Sequence, residues 1–597
     1  MGLSTKVIDE FLRQRDVLLK AGSYEEARAN FKWPPPGEFN WAIDYFDKYL
    51  AENATNPALV YINDELLKSG DSKVISYGEL RARSNRLANA LTDLGVGRGD
   101  VVMVMLNNRP ELFESFLALM KIGAVISPAT TLLIPSDIED RASRAHFKAV
   151  IVDPEVVNRI NQIRDRLEKL GVKYFISLGK QGPGWLDYYE LVSGKSENFQ
   201  GVRTRTDELL LVYFTSGTTA KPKIVMHTHS SYPIGHLTTM YWVGAKPGYR
   251  HMNISSPGWA KWAWSTFFAA FNAGATTVVY DYSGRFSAAN HLKVLENYGV
   301  DTLCAPPTVW RMIILEDLTK YNLDKIKSFV SAGEPLNPEV IERVYKATGK
   351  YIRDGYGQTE TTLMVGNFPG MKIKPGSMGK PAPGYEIVLV DEDGNPVSVN
   401  KDGHITVRTS PRPLGLMVGY DDENKNKEVF RLGLYFTGDV AFMDDEGYLY
   451  FVGRADDVFK SSDYRISPFE LESDLLKHPA VAEAAVVPSP DPIRGFVPKA
   501  YIVLKPGYTP SRDLAHDVFK FIRLNVAPYK RPRVIEFVPE LPKTISGKIR
   551  RVELRGIERE KRNKGVKGEH EYFEDDFPDI KALKVMVNSK LINSKSR

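Results

Sequence analysis

The chain has 597 residues, 43% of them hydrophobic and 26% charged, with a formal net charge of +5. The length suggests about four domain-sized units or fewer large ones, and the globular composition excludes wholesale disorder, collagen-like repeats and a disulfide scaffold. Charge so near balance argues against a nucleic-acid carrier, so any basic patch must be local.

The first forty residues are charged and helix-like, until KWPPPGEFNWAIDYF interrupts them with three prolines that favour extended backbone. This stretch reads as a lead-in strap. MGLSTKVIDEFLRQRDVLLK has no apolar core for a signal peptide, and no later run reaches about 18 uninterrupted apolar residues, so no membrane span is expected. Lys6 stands where a myristoylation signal has Ser or Thr, and NSKSR carries no prenylation or peroxisomal signal. From Leu59, short β-rich runs (ALVYIN, VVMVML, KAVIVD, KYFISL) alternate with helical stretches such as YGELRARSNRLANALTDLG, where Leu80, Leu87 and Leu91 recur at helical spacing. The rhythm predicts α/β layers. It returns in TTVVYDY, VDTLCAPP and KSFVSAG, so the large α/β body reaches at least Thr362.

Next, GYEIVLVDEDGNPVSVNKDGHITVRT holds two period-2 runs joined by Asp-Gly turn chemistry, and GYLYFVGRADDVFK adds a strand, making a mostly antiparallel portion. A compact helix–strand–strand–helix unit follows (PFELESDLLKHP, AVAEAAVVPSP, KAYIVLKP, RDLAHDVFKFIRLNVAP), then the basic loop LPKTISGKIRR. The fold class is α/β, with an expected division in three. Residues 1–455 form a large domain of layered α/β subdomains plus a small antiparallel subdomain, 456–560 a small α+β C-terminal domain, and 561–597 a tail that is docked or disordered. The single cysteine, Cys304, excludes an internal disulfide, a CxxC pair and a zinc cluster; it reads as buried packing in a cytoplasmic protein. His227 and His229 form an H-x-H with no evident third metal ligand.

Four segments carry chemistry. Thr215-Ser216-Gly217-Thr218-Thr219-Ala220-Lys221-Pro222-Lys223 follows the apolar LLLVYF and supplies four hydroxyls, two ammonium groups and backbone N–H donors to a polyphosphate. It lacks the Walker spacing, and alone it also reads as a surface turn. Asp354-Gly355-Tyr356-Gly357-Gln358-Thr359-Glu360-Thr361-Thr362 offers an aromatic to stack on a base, a hydroxyl, and a carboxylate able to hold Mg2+ beside phosphates. A helix start capped by Thr359 is its other reading. Thr437-Gly438-Asp439 and the later Gly453-Arg454 provide a carboxylate and a guanidinium to bracket a ribose diol, although turns and surface ion pairs use the same residues. Finally, PKTISGK presents Lys548 on a Gly-containing loop, or else forms a solvated basic patch.

In this order, the four segments resemble the AMP-forming adenylating superfamily of acyl-CoA synthetases, luciferases and peptide-synthetase adenylation domains. The resemblance spans roughly Ile75 to Arg551 and includes Ser331-Ala-Gly-Glu-Pro335 and SSDYRISPFELE. Through YFTSGT, MKIKPGSMGKPAPGYE, HPAVAEAAVVPSPDPIRG and APYKRPRVIEFVPELPKTISGKIRR it is most similar to medium-chain acyl-CoA synthetases related to acetyl-CoA synthetase. It implies ATP, Mg2+ and CoA, a small carboxylic acid as substrate, and no nucleic acid or membrane partner; a homo-oligomer stays open. By motif, Thr215 to Lys223 hold the β and γ phosphates, Thr359 touches the α-phosphate and Glu360 binds Mg2+. Gly333, Glu334 and Pro335 with Asp354, Gly355 and Tyr356 form the adenine pocket, Gly357 and Gln358 are further ATP-binding positions, Asp439 and Arg454 take the ribose, and Arg465 reaches the phosphate. Lys548 bridges the attacking carboxylate and the α-phosphate from a mobile small domain that turns about Asp456. Ser462, Asp463, Tyr464, Arg494 and Arg523 match positions that line the CoA site.

Two departures qualify the resemblance. Asp463 and Ser467 replace the glycines of S-G-[YH]-R-[IL]-G, adding bulk and, at Asp463, charge in the CoA channel. Ala220 replaces a common Gly of the phosphate loop, a milder change. Acetate-specific relatives carry Trp-Trp where this chain has Tyr356-Gly357, so Gly357 is expected to remove the floor of the acyl pocket and admit longer acids. Trp259 and the neighbouring Ala260, Lys261 and Trp262 are the expected wall, Lys261 either meeting a distal polar group or snorkelling to the surface. His478 matches a position near a structural Mg2+ in relatives, but also reads as a simple helix-end cap. The leading reading is an acyl-CoA synthetase; a ligase serving a non-CoA acceptor and a non-catalytic acyl- or nucleotide-binding protein are the alternatives.

Overall fold

The computed structural model describes residues 3–215, 222–461, 464–492, 494–544 and 547–583. Two large sheets organise the N-terminal part. One has eight strands in the order Gly419–Tyr420, Lys223–Thr228, Leu209–Thr215, Val125–Pro128, Val101–Met105, Phe147–Val152, Tyr174–Ser177, Leu186–Asp187. In Val101–Met105, Val102 and Val104 enter the core shared by both sheets, whereas Met103 and Met105 pack under the outer helices Pro135–Ala145 and Pro154–Asn161. Burial on both faces explains why VVMVM is apolar throughout.

The second sheet has nine strands, in the order Lys380–Pro381, Thr362–Gly366, Ile352–Gln358, Ser328–Ala332, Thr302–Ala305, Arg250–Asn253, Thr276–Asp281, Pro57–Asn63, Lys73–Ser76. Its inner face contributes Leu59, Val279, Cys304, Val330 and Leu363 to the shared core. Helix Pro110–Lys121 lies in that core, every residue but Glu111 buried; of its charged residues, Glu114 is buried against the Tyr188 hydroxyl and Lys121 against Ser84, Asn85 and Asp47. Tyr77–Asp93 forms the expected helix with Leu80, Leu87 and Leu91 buried, and Cys304 is buried. The N-terminal strap is docked: Tyr24, Arg28 and Trp33 donate hydrogen bonds to backbone carbonyls of Pro381 to Tyr385.

The expected strands Ile387–Val390, Gly403–Arg408 and Leu449–Arg454 join Phe430–Arg431 and Leu434–Met443, which the sequence reading did not mark, in one antiparallel sheet. The small α+β unit is built from helix Pro468–Leu475, strands Val481–Asp491, Gly495–Leu504 and Val534–Phe537, and helices Arg512–Asn525 and Arg551–Lys564. A fourth strand, Glu571–Phe573, comes from the segment read as a tail and pairs antiparallel with Val534–Phe537. It brings Glu571 to the fully buried ammonium of Lys499, which also meets Glu536 at 2.7 Å and Glu558 at 2.5 Å. Three carboxylates therefore surround one buried cation. Among the described residues, no helix is long and apolar enough to cross a membrane.

Candidate active site

In the nine-stranded sheet, Arg250–Asn253 connects to a neighbour on one side and Thr302–Ala305 to a neighbour on the other, so chain direction across the sheet reverses between them. A crevice at the carboxyl ends of such strands is where ligands bind in open α/β sheets. The chain segments that leave these ends carry Trp259, Ala260 and Lys261, then Gly333, Glu334 and Pro335, while Tyr356 and Gly357 stand near the end of strand Ile352–Gln358 itself. Residues a hundred positions apart in sequence meet there because the strands end together. Gly333 has φ +107°, a left-handed conformation that favours glycine.

On the nucleotide side, Asp439 and Arg454 are direct cross-strand partners, with Arg454 Nε 3.5 Å from Asp439 Oδ1. Asp439 Oδ2 accepts from the Tyr356 hydroxyl at 2.5 Å and from Gln358 Nε2 at 2.8 Å. Burial pushes the Asp439 carboxyl up, with Arg454 opposing. Glu334 is held by Thr308 Oγ1 at 3.0 Å and Arg311 at 3.2 Å. Asp354 is buried and accepts from the Gly355 N–H at 2.9 Å; burial drives its carboxyl well above the usual range.

The phosphate segment is the loop of a β-hairpin, since Thr215 and Lys223 face each other across antiparallel strands; Ser216, Gly217, Thr218, Thr219, Ala220 and Lys221 lie outside the described residues. Arg144 Nη1 donates to the Pro222 carbonyl at 2.6 Å, and Lys223 Nζ stands 5.3 Å from the Tyr420 ring centroid. Residues 358–362 are a tight turn between two strands, not the helix start that Thr359 might have capped. Thr362 sits there at φ 55°. Three neighbours hold the turn: His227 bonds the Thr359 carbonyl, Met417 N–H the Glu360 carbonyl at 2.7 Å, and the Tyr385 hydroxyl the Thr361 carbonyl. Tyr420 donates to Glu360 Oε1 at 2.8 Å, steadying the carboxylate.

On the acyl side, two expectations are corrected. Lys261 does not snorkel: its ammonium is buried with no protein partner among the described residues, and burial pushes it down to about 8. The space beside Gly357 is not open. A Cβ there would stand 2.0 Å from the Thr362 carbonyl oxygen and 2.6 Å from Cη2 of Trp264, so the helical segment Trp262–Ala269 fills that space. Sequence reasoning missed Trp264, whose distance from Gly357 along the chain hides the contact.

Residues 46–421 match the model of the AMP-binding enzyme family and 470–548 that of its C-terminal domain. The chain belongs to the AMP-binding enzyme family. A 4-hydroxybutyrate–CoA ligase of Metallosphaera sedula is 48% identical over 89% of this chain and 93% of its own. The mitochondrial acyl-coenzyme A synthetase ACSM3 of Rattus norvegicus is 41% identical over the same shares. The crystal structure of an anthranilate CoA ligase with anthranoyl-AMP superposes with a TM-score of 0.81 at 29% identity, covering 88% of this chain and 98% of that one. The protein is an AMP-forming acid–CoA ligase.

In this AMP-binding enzyme the loop that carries Lys548 is seated on the large domain. A Cβ on Gly547 would lie 3.9 Å from Thr308 Oγ1, and the charge of Lys548 is felt at both Lys261 and Asp439. Asn337 Nδ2 donates to Ser473 Oγ at 2.8 Å across the same junction. Asp456 lies 3.8 Å from Arg454 Nε, and Asp457 is bound by Arg555. Ser462 and Asp463 lie outside the described residues; Tyr464 and Arg465 are placed as backbone in a short strand opposite Phe459–Ser461. Arg494 is exposed, its N–H on Asp491, and Arg523 is engaged elsewhere, donating to the Lys581 carbonyl at 2.7 Å and lying 3.5 Å from Glu574. His478 uses both ring nitrogens locally, Nδ1 accepting from the Ala480 N–H and Nε2 facing Asp517.

Proposed function

We propose that the protein activates a short- to medium-chain or oxygen-bearing carboxylic acid in two steps, first joining it to AMP with release of pyrophosphate, then passing the acyl group to the thiol of CoA. The observation that carries this reading is the convergence, at one strand-end crevice, of the Asp439–Arg454 pair, the Thr359–Glu360 turn, Lys261 and the Lys548 loop. The first step sets a carboxylate against a polyphosphate. Fixed cations offset that repulsion far better in a water-poor crevice than in bulk water.

Within this reading, Asp439 and Arg454 take the ribose, Gly333 to Pro335 with Tyr356 flank the adenine, and Thr215 to Lys223 with Arg465 take phosphates. Lys548 stabilises charge that develops only as the carboxylate attacks. A single carboxylate beside phosphate oxygens is a donor set that Mg2+ takes, and Glu360, steadied by Tyr420, would hold it with ATP. When bound, the ion neutralises phosphate charge. The swivel of the small domain falls at Ala455 and Asp456, because Arg454 belongs to the large-domain strand and Asp457 is bound to helix Arg551–Lys564. The 48% identical ligase is named for a hydroxy acid, and the unpartnered Lys261 ammonium suits an acid with an oxygen beyond its carboxylate. The cytoplasm is the proposed site of action.

A second reading rests on Asp463, which adds charge where relatives have Gly: the adenylate is passed to an acceptor other than CoA. The test is a panel of carboxylic acids scored separately for pyrophosphate and for thioester. Both are expected from the same acids. Pyrophosphate without thioester selects the second reading, and no acid-dependent pyrophosphate from any acid sinks both.

A further inference from the structure

The turn carrying Thr359 and Glu360 is held by a histidine that belongs to neither ligand. His227 lies on strand Lys223–Thr228, the strand that leaves the phosphate loop, and is fully buried. Its Nε2 is 2.6 Å from the Thr359 carbonyl oxygen and its Nδ1 is 2.8 Å from Ser231 Oγ. A carbonyl only accepts, so Nε2 carries the proton and Nδ1 accepts from the Ser231 hydroxyl. Burial holds the ring neutral, pushing it down to about 3. The ring also packs on Tyr232, centroids 4.2 Å apart, and the Tyr232 hydroxyl accepts from Trp264 Nε1 at 3.0 Å. Trp264 is the residue that fills the space beside Gly357. One continuous chain of buried rings therefore braces the turn at both ends, at Gly357 on the acyl side and at Thr359 on the phosphate side.

We propose that His227 is a positioning residue for adenylation: by donating Nε2–H to the Thr359 carbonyl it fixes the turn 358–362, so that the Thr359 hydroxyl and the Glu360 carboxylate are presented to the nucleotide phosphates. The proposal rests on the adenylating function above and adds a residue outside that site's own ligands. The donor matters because Thr359 and Glu360 leave the turn from adjacent residues. Rotation of the Thr359 peptide moves both side chains together, whereas the Glu360 and Thr361 carbonyls are fixed by other elements. A displacement of about 1 Å at a reacting centre costs on the order of 100-fold in rate.

The test compares His227→Asn, which retains a partner for Ser231 but has no group reaching Thr359, with His227→Gln, whose amide nitrogen occupies the place of Nε2. For acid-dependent pyrophosphate release, kcat is expected to fall about 30- to 100-fold in the Asn variant and no more than about fivefold in the Gln variant. The KM for the acid should stay within about twofold in both, since the acyl wall is untouched. Melting temperatures of the two variants should agree to within a few degrees, which a purely structural role of the donor would not allow. His227→Met, which fills the space without a donor, takes the place of the Asn variant should that variant not fold. Equal losses in donor and non-donor variants, or a loss confined to the KM for the acid, would overturn the proposal. Pyrophosphate release by the unaltered enzyme is read separately, so failure of the adenylating function is distinguishable from failure of this role.

Discussion

The ammonium of Lys261 is out of solvent, and its electrostatic neighbours Glu334 and Asp354 make no direct bond to it. A hydrogen bond to a charged group is worth about 1.5–3 kcal/mol. Lys261→Met is therefore expected to lower kcat/KM for a hydroxy acid by about 10- to 100-fold against the unsubstituted acid of equal length, measured side by side. Since burial pushes this lysine down to about 8, the ammonium is present below that pH and lost above it, and the preference should fade as pH rises through about 8. The effect on stability has the opposite sign. The cost of burying the charge is complete below about pH 8 and is relieved as pH rises toward the unfolded value near 10.4. A selectivity ratio independent of both substitution and pH would remove Lys261 from substrate recognition. Asp439 and Arg454 were legible in the sequence because each sits in a short motif; that they are register partners was not, since pairing across strands leaves no local trace.

At the level of elements, the space beside Gly357 belongs to the segment Trp262–Ala269. Gly357→Trp is thus expected to damage the fold rather than to create an acetate enzyme, because its Cβ would collide with the Thr362 carbonyl, a backbone atom with little room to move. Trp264→Ala is the productive change: the preferred acid should lengthen, at a cost of about 3–5 kcal/mol in stability. Chain-length profiles of kcat/KM decide the point, and an unaltered optimum in Trp264→Ala would place the floor elsewhere. The alternation of strands and helices was plain in the text, as were the helix Tyr77–Asp93 and the antiparallel run from Ile387. The strand Glu571–Phe573 was hidden in a mixed-charge stretch, because its partners, strand Val534–Phe537 and the buried Lys499, lie elsewhere in the chain. Removing one partner from a buried ion pair costs about 3–5 kcal/mol. Glu571→Gln withdraws a carboxylate from both Lys499 and Arg562, so a loss of about 3 kcal/mol is expected in denaturant unfolding. A loss below about 1 kcal/mol would mean that Glu536 and Glu558 suffice.

For the whole molecule, the informative fact is that the small domain is seated with its lysine loop over the crevice. Lys548→Ala is expected to reduce acid-dependent pyrophosphate release by at least about 100-fold, yet to leave thioester formation from supplied acyl-AMP and CoA within a few-fold, because that step needs the lysine withdrawn. Parallel loss of both half-reactions would detach Lys548 from the first step. The buried Lys499 has a consequence for how the protein is made. All three of its carboxylates, Glu536, Glu558 and Glu571, lie later in the chain than the lysine they neutralise. Chains emerge from the ribosome N-terminal end first, so this domain cannot bury its ammonium with every counter-ion in place until residue 571 has been synthesised. A polypeptide interrupted between residues 499 and 571 would therefore carry a complete large domain and a small domain whose buried ammonium lacks at least one of its carboxylates.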